Sequence, residues 1–150
     1  MFGKDKKQLV YIGSDHAAFE AKEDMRKYYE EKGYDVTDLG CFNTDSCDYP
    51  DYAREVGEKV LEHEGAYGVL ICGTGIGMSM ASNRLQGIRA VLATDEHYAE
   101  MGRNHNNANV LCMGSRTTDI ELMKKISDKF LATEFAGEER HIRRVDKMDG

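Results

Sequence analysis

The run Tyr67-Gly68-Val69-Leu70-Ile71-Cys72 passes into Gly73-Thr74-Gly75-Ile76-Gly77 without a charged residue, and this junction constrains the fold more than any other stretch of the chain. An uncharged hydrophobic run of this length reads as a strand buried on both faces, which is the habit of parallel sheets covered by helices on both sides. The glycine-rich turn after it opens a helix, expected over about Met78 to Leu85. The same alternation recurs elsewhere. Leu9 to Ile12 reads as a strand ending at Gly13-Ser14-Asp15-His16, followed by a helix from about Ala17 to Lys32 that Gly33 stops. Asp35 to Leu39, Ala90 to Ala93 and Val110 to Met113 supply further strands. Helices are expected over Tyr52 to His63, Asp95 to about Arg103 and Glu121 to Leu131, with a loop over Gly40 to Pro50. From about residue 138 the tail, carrying Arg140, His141, Arg143 and Arg144, reads as a last short helix extending past the domain.

Five strands separated by helices predict one α/β domain over residues 1–150, with a five-stranded parallel sheet and helices on both faces, because every parallel connection needs a crossover. Ligands bind such sheets beyond the carboxyl ends of the strands. The candidates for chemistry are therefore the residues that follow strands: Asp15 and His16, Cys72 to Gly77, Asp95, and Gly114 to Arg116.

A chain of 150 residues buries enough surface to need no disulfide or metal for its core. Its 27 acidic and 20 basic side chains give a net charge of −7, which argues against nucleic acid or an anionic membrane as partner but leaves room for one small anion. Met1 to Lys7 is polar and basic with no apolar segment after it, so a cytoplasmic location is expected. The four cysteines, Cys41, Cys47, Cys72 and Cys112, form no C-x-x-C pair, and reduced thiols are expected.

At the central junction a helix start presents unpaired N–H groups, a setting that binds anions and favours a thiolate, so Cys72 can serve as a base or nucleophile. A buried structural cysteine beside a turn that needs glycine for backbone reasons accounts for the same residues. The spacing Gly73, Gly75, Gly77 is not the dinucleotide pattern G-x-G-x-x-G, and no Walker lysine follows. Asp15 and His16 can bind hydroxyls or move protons; equally, Asp15 can cap the next turn and His16 can be a passive surface group. Arg103 to Asn109 is a polar loop or a hydrogen-bonding platform, and the tail arginines are a solvated helix face or a fork for phosphate. Tyr49 reads as packing with a hydroxyl able to line a site, and Met78 and Met80 read as helix core. Cys41 and Cys47 lack the second ligand pair that a metal site needs.

Taken together these residues resemble the type B ribose-5-phosphate isomerases, a family that also includes the galactose- and allose-6-phosphate isomerases. The resemblance covers nearly the whole chain: Gly13 to His16 with Lys22, Asp48-Tyr49-Pro50, Cys72 to Gly77, Gly87 to Ala90, Arg103-x-His105-Asn106, Asn109 to Leu111, Gly114-Ser115-Arg116 and the Arg140/Arg144 tail. It implies a Rossmann-like fold and a homodimer, sometimes paired into a tetramer, with active sites between subunits. On this basis Cys72 is the catalytic base, His105 assists ring opening, and Thr74 joins them. Asp15, His16, Tyr49 and Thr74 contact the sugar, beside Gly73, Gly75, Ile76, Gly77 and Asn106. Arg140 and Arg144 hold the phosphate, with His141 and Arg116 as weaker candidates for the same pocket. Asn107 stands where the family often has Asp, and Ala18 where it often has Gly. The implied reaction interconverts ribose 5-phosphate and ribulose 5-phosphate through an enediolate, without metal or cofactor. The alternatives are a six-carbon sugar phosphate as substrate, or a module that binds a sugar phosphate without turning it over.

Overall fold

The computed structural model describes residues 7–150, so most of the basic segment Met1 to Lys7 lies outside the described residues. The chain runs β1 (Leu9–Ser14), a 3₁₀ turn (His16–Ala18), α1 (Phe19–Glu31), β2 (Asp35–Asp38), α2 (Tyr49–Glu62), β3 (Tyr67–Cys72), α3 (Ile76–Ser82), β4 (Ala90–Leu92), α4 (Glu96–Asn104), β5 (Val110–Gly114), α5 (Ile120–Ala132) and α6 (Glu139–Asp149). The five strands pair in parallel in the order β2-β1-β3-β5-β4, matching the expected α/β architecture.

Strand alternation sorts the core into two layers. Val10, Ile12, Val69, Ile71, Leu111 and Met113 meet Met25 and Tyr29 of α1, Ala99 of α4, and Ile126 and Phe130 of α5. On the other face Tyr11, Leu70, Cys72, Val110 and Cys112 meet Val56 and Val60 of α2 and Met78 of α3. Both faces of β1, β3 and β5 are thus covered, which explains their uninterrupted apolar runs. No described helix is long and apolar enough to cross a membrane.

Element ends depart from the sequence reading where backbone chemistry outweighs apolar periodicity. Helix α2 begins at Tyr49 rather than Tyr52, because Pro50 lies in its first turn, where a fixed φ is helical and a missing N–H costs nothing. Helix α3 begins at Ile76 and ends at Ser82, two and three residues earlier than expected, since Gly75 at φ 82° supplies its start. Met80, expected in the core, is 67% exposed, whereas Met78 is fully buried. The last helix is held against the body at both ends. His141 stacks on His105 and Asp149 pairs with Arg89.

Lys22 is completely buried in α1, and its Nζ lies 2.6 Å from Asp38 Oδ2 and 3.1 Å from Glu23 Oε1. The other Asp38 oxygen accepts from the Gly40 amide at 2.9 Å, and the Gly40 carbonyl accepts from Ser14 N at 2.7 Å. This chain of bonds ties the segment after β2 to the carboxyl end of β1. Lys22→Met leaves both carboxylates without their buried cation and is expected to destabilise the fold by about 3 kcal/mol, at the low end for a broken buried pair because both acids keep some solvent. A urea melt reads this as a lower midpoint at constant slope; an unmoved midpoint would show the pair to be idle.

Candidate active site

Strand order reverses between β1 and β3, so a crevice opens beyond their carboxyl ends. Cys72 closes β3 there, 5% exposed, and its Sγ accepts a hydrogen bond from the Gly75 amide at 3.2 Å. Thr74 Oγ1 accepts from the Ile76 amide at 3.2 Å. The amides of Gly73, Thr74, Gly77 and Met78 have no acceptor among the described residues, so the turn and the start of α3 offer free donors next to the sulfur. Helix α3 is only seven residues long, so these individual donors matter more here than any long-range helix dipole.

The turn holds its shape by close backbone approach. A Cβ on Gly75 would meet Leu92 Cδ1 at 2.5 Å and the Met113 carbonyl carbon at 2.9 Å, and one on Gly114 would sit 2.6 Å from the Thr74 backbone. Arg116 N donates to Gly73 O and Ser115 N to Cys72 O, each at 2.9 Å, so the segment after β5 is bonded to the same turn. The Arg116 guanidinium runs alongside Gly73, and a Cβ on Gly77 would lie 2.6 Å from the ring of Tyr49. The structure therefore brings Tyr49, Cys72, Gly73, Thr74, Gly75, Ile76, Gly77 and Arg116 together.

Asp15 and His16 enter this crevice from β1. Asp15 Oδ1 accepts from Ala18 N at 3.1 Å, so it does cap the following turn, and its second oxygen is left over for a ligand. His16 Nδ1 accepts from the Cys47 amide at 3.2 Å. That bond places the imidazole proton on Nε2 in the neutral ring, with the Cys47 Sγ 3.8 Å from the same Nδ1. No sequence signal points to Cys47 in this role, because the donor is an amide that every residue but proline carries. Asp95, also a candidate, caps α4 by accepting from Tyr98 N at 2.9 Å.

His105, Asn106, Arg140, His141 and Arg144 are elsewhere. Helix α4 runs back along the sheet, so His105 at its end lies by the amino ends of the strands, where Asn109 O accepts from Gly68 N at the start of β3. A strand this long separates the two clusters by about 17–20 Å. The His105 and His141 rings stack with centroids 4.4 Å apart and planes 14° apart. His141 is buried with no partner for Nε2, and burial, with His105 and Arg140 beside it, pushes its pKa below the ordinary histidine value. Arg140 Nε donates to Glu138 at 3.1 Å, and Arg144 is exposed on the same helix. Arg116, expected to share a pocket with these arginines, is at the opposite end of its own chain. All four cysteines are free, as expected, and no metal-binding group of three or more ligands occurs among the described residues.

Residues 10–148 match the family model described as Ribose/Galactose Isomerase. Ribose-5-phosphate isomerase B of Escherichia coli is 40% identical over 139 residues, which is 93% of each chain. A ribose 5-phosphate isomerase structure from Thermotoga maritima superposes with a TM-score of 0.92 at 46% identity, covering 96% of this chain and 99% of that one. The type B ribose 5-phosphate isomerase structure from Trypanosoma brucei gives a TM-score of 0.92 at 41% identity, covering 96% and 98%.

Gly75→Ala forces a left-handed φ on a side chain that also strikes Leu92 and Met113. A loss of about 2–4 kcal/mol is expected in a denaturation experiment, with the turn displaced in a crystal structure of the variant. Wild-type stability with an unmoved turn would refute the close-packing account.

Proposed function

The chain belongs to the ribose/galactose isomerase family, and from that premise we propose that it interconverts ribose 5-phosphate and ribulose 5-phosphate with Cys72 as the base. The observation that carries this reading is the sulfur at the end of β3, hydrogen-bonded by the Gly75 amide beside free N–H donors of the same turn. Aldose–ketose interconversion moves a proton between adjacent carbons through an enediolate, so it needs one base facing both carbons and fixed donors for the oxyanion. A thiolate is held in place by the Gly75 N–H, since a donor strengthens its bond when the acceptor becomes charged. The amides of Thr74 and Gly77 then meet the enediolate oxygen. Asp15, His16, Tyr49 and Thr74 orient the sugar hydroxyls, and the reaction moves only protons, so it calls for no redox cofactor.

Ring opening and phosphate binding fall to the other cluster, with His105 assisting the first and Arg140, Arg144 and His141 the second. Because the sheet holds this cluster away from Cys72 within one chain, the working site is built between two copies, each lending its far cluster to the other's turn. A homodimer with two equivalent sites follows from such a reciprocal arrangement, and Arg116 can rejoin the tail arginines there. A six-carbon sugar phosphate is the second reading, favoured by the family description, which covers galactose as well as ribose. Comparing kcat/KM across ribose, allose and galactose phosphates decides between them.

Cys72→Ala is expected to abolish turnover while retaining affinity for ribose 5-phosphate in calorimetry; full activity in this variant would remove Cys72 as base and leave a binding role for the turn. The shared site has its own test. Cys72→Ala and His105→Ala chains, each inactive alone, are expected to regain roughly a quarter of wild-type turnover when refolded together in equal amounts, since half the dimers are mixed and each carries one intact site. No recovery would mean that the site does not cross an interface.

A further inference from the structure

Apart from both clusters, a cavity of about 500 Å³ opens at the amino ends of β3 and β5, between the end of α2 and the α4–β5 loop. One wall is a cation with no carboxylate in ion-pair contact, the exposed Glu134 acting on it only from a longer distance. Arg103 is 5% exposed and lies over the Tyr67 ring, 4.7 Å from its centroid. Its Nε donates to Thr133 O at 3.1 Å, and its Nη1 to Asn107 Oδ1 at 3.0 Å and Ala108 O at 2.6 Å. All three acceptors are neutral. Nη2 has no protein partner, and no described carboxylate lies within ion-pair distance of this guanidinium. Arg89 borders the same cavity, its Nε on Asn107 O at 2.8 Å and its Nη1 on Asp149 at 2.9 Å. Glu64, at the exposed rim, is the one acid among the lining residues.

A buried charge that lacks an opposite charge is costly, and neutral acceptors recover only part of the lost hydration. Of the five guanidinium N–H groups three are taken, so the two on Nη2 are left to donate charge-assisted bonds to the oxygens of a phosphate or carboxylate. We propose that this cavity binds a small oxyanion, with Arg103 as its main ligand and Arg89 as its second. Val60, Leu61 and Tyr67 give the remaining wall, which suits a short apolar body behind the anionic head. This site is separate from the proposed sugar-phosphate site, since it uses neither the Cys72 turn nor the His105 and Arg140/Arg144 cluster.

Asn107 provides the decisive variant. It sits at φ 51°, a conformation that Asp also adopts, and its side chain already touches Arg103. Asn107→Asp therefore places a carboxylate on the unpaired guanidinium without disturbing the loop. The full-length protein is titrated with inorganic phosphate and, separately, propionate, while the amide NMR signals of Gly65, Ala66 and Asn109 are followed. These signals are expected to shift with at least one probe, and the tighter of the two identifies the head group. In Asn107→Asp the affinity falls about tenfold or more, as for loss of one charge-assisted bond. In an Arg140→Gln/Arg144→Gln chain the response stays as in the wild type. Signals that move with neither probe, or an unchanged affinity in Asn107→Asp, would overturn the proposal. Shifts confined to residues around Arg140 and Arg144 would overturn it too, while leaving the sugar-phosphate reading intact.

Discussion

A parallel sheet obliges each connection to travel back along the length of a strand, and the placement of every functional group in this chain follows from that return. Residues that follow strands collect at one end, as Asp15, Cys72 and Gly114 do; residues that follow helices collect at the other, as His105 does. No loop of ordinary length spans the difference. In the function proposed above, the base and the ring-opening histidine are thus kept apart by the fold itself, and the proposal brings them together through a second copy. Twofold symmetry in that proposed dimer gives two such sites for one interface.

Cys72, the base of the proposed reaction, shares its face of the sheet with Cys112. Cys112 sits within its strand, wholly buried, and burial pushes its thiol up to about 12, so it stays protonated and inert. Cys72 differs by position rather than by depth. It is the last residue of β3, the chain turns around its sulfur, and an amide points at it. That turn exists because Gly75 and Gly114 carry no Cβ, which lets the backbone after β3 ride directly on the end of β5. The glycines are therefore needed for backbone approach, as the structural reading of the motif held, and that approach is what sets donors around the thiol. The two readings of this motif describe one geometry.

The strands were legible because burial on two faces leaves a continuous apolar run, and Tyr67 to Cys72 and Val110 to Met113 carry that mark plainly. The caps at Asp15 and Asp95 were visible as residue types at strand ends. Boundaries set by single φ values were harder: the Gly75 start of α3 and the Pro50 start of α2 interrupt no hydrophobic pattern. Burial of long cations was not legible either, since Lys22 and Arg103 look like surface residues until the partners that enclose them, 16 residues away in Asp38 and 30 in Thr133, are folded beside them. The candidate site was legible as a set of residues but not as an arrangement. Nothing in the sequence orders His105 and Cys72 in space, and only the direction of α4 reveals that they face opposite ends.

The net charge of −7 opposes an anionic substrate at long range, so local cations must overcome it within a screening length of about 8 Å. The kind of cation matters. His141, at the core of the far cluster, has its pKa lowered by burial and by its neighbours His105 and Arg140, which disfavours its charged form. Arg140 and Arg144 stand exposed on the same helix, and a guanidinium offers several donors to an anion. Attraction for a phosphate in the proposed site thus rests on the arginines, while Nε2 of His141, buried without a hydrogen-bond partner, is free to complete a bond. The proposed site thereby separates affinity from proton transfer, the arginines holding the anionic end of the substrate and the base with the ring-opening histidine moving protons at the other.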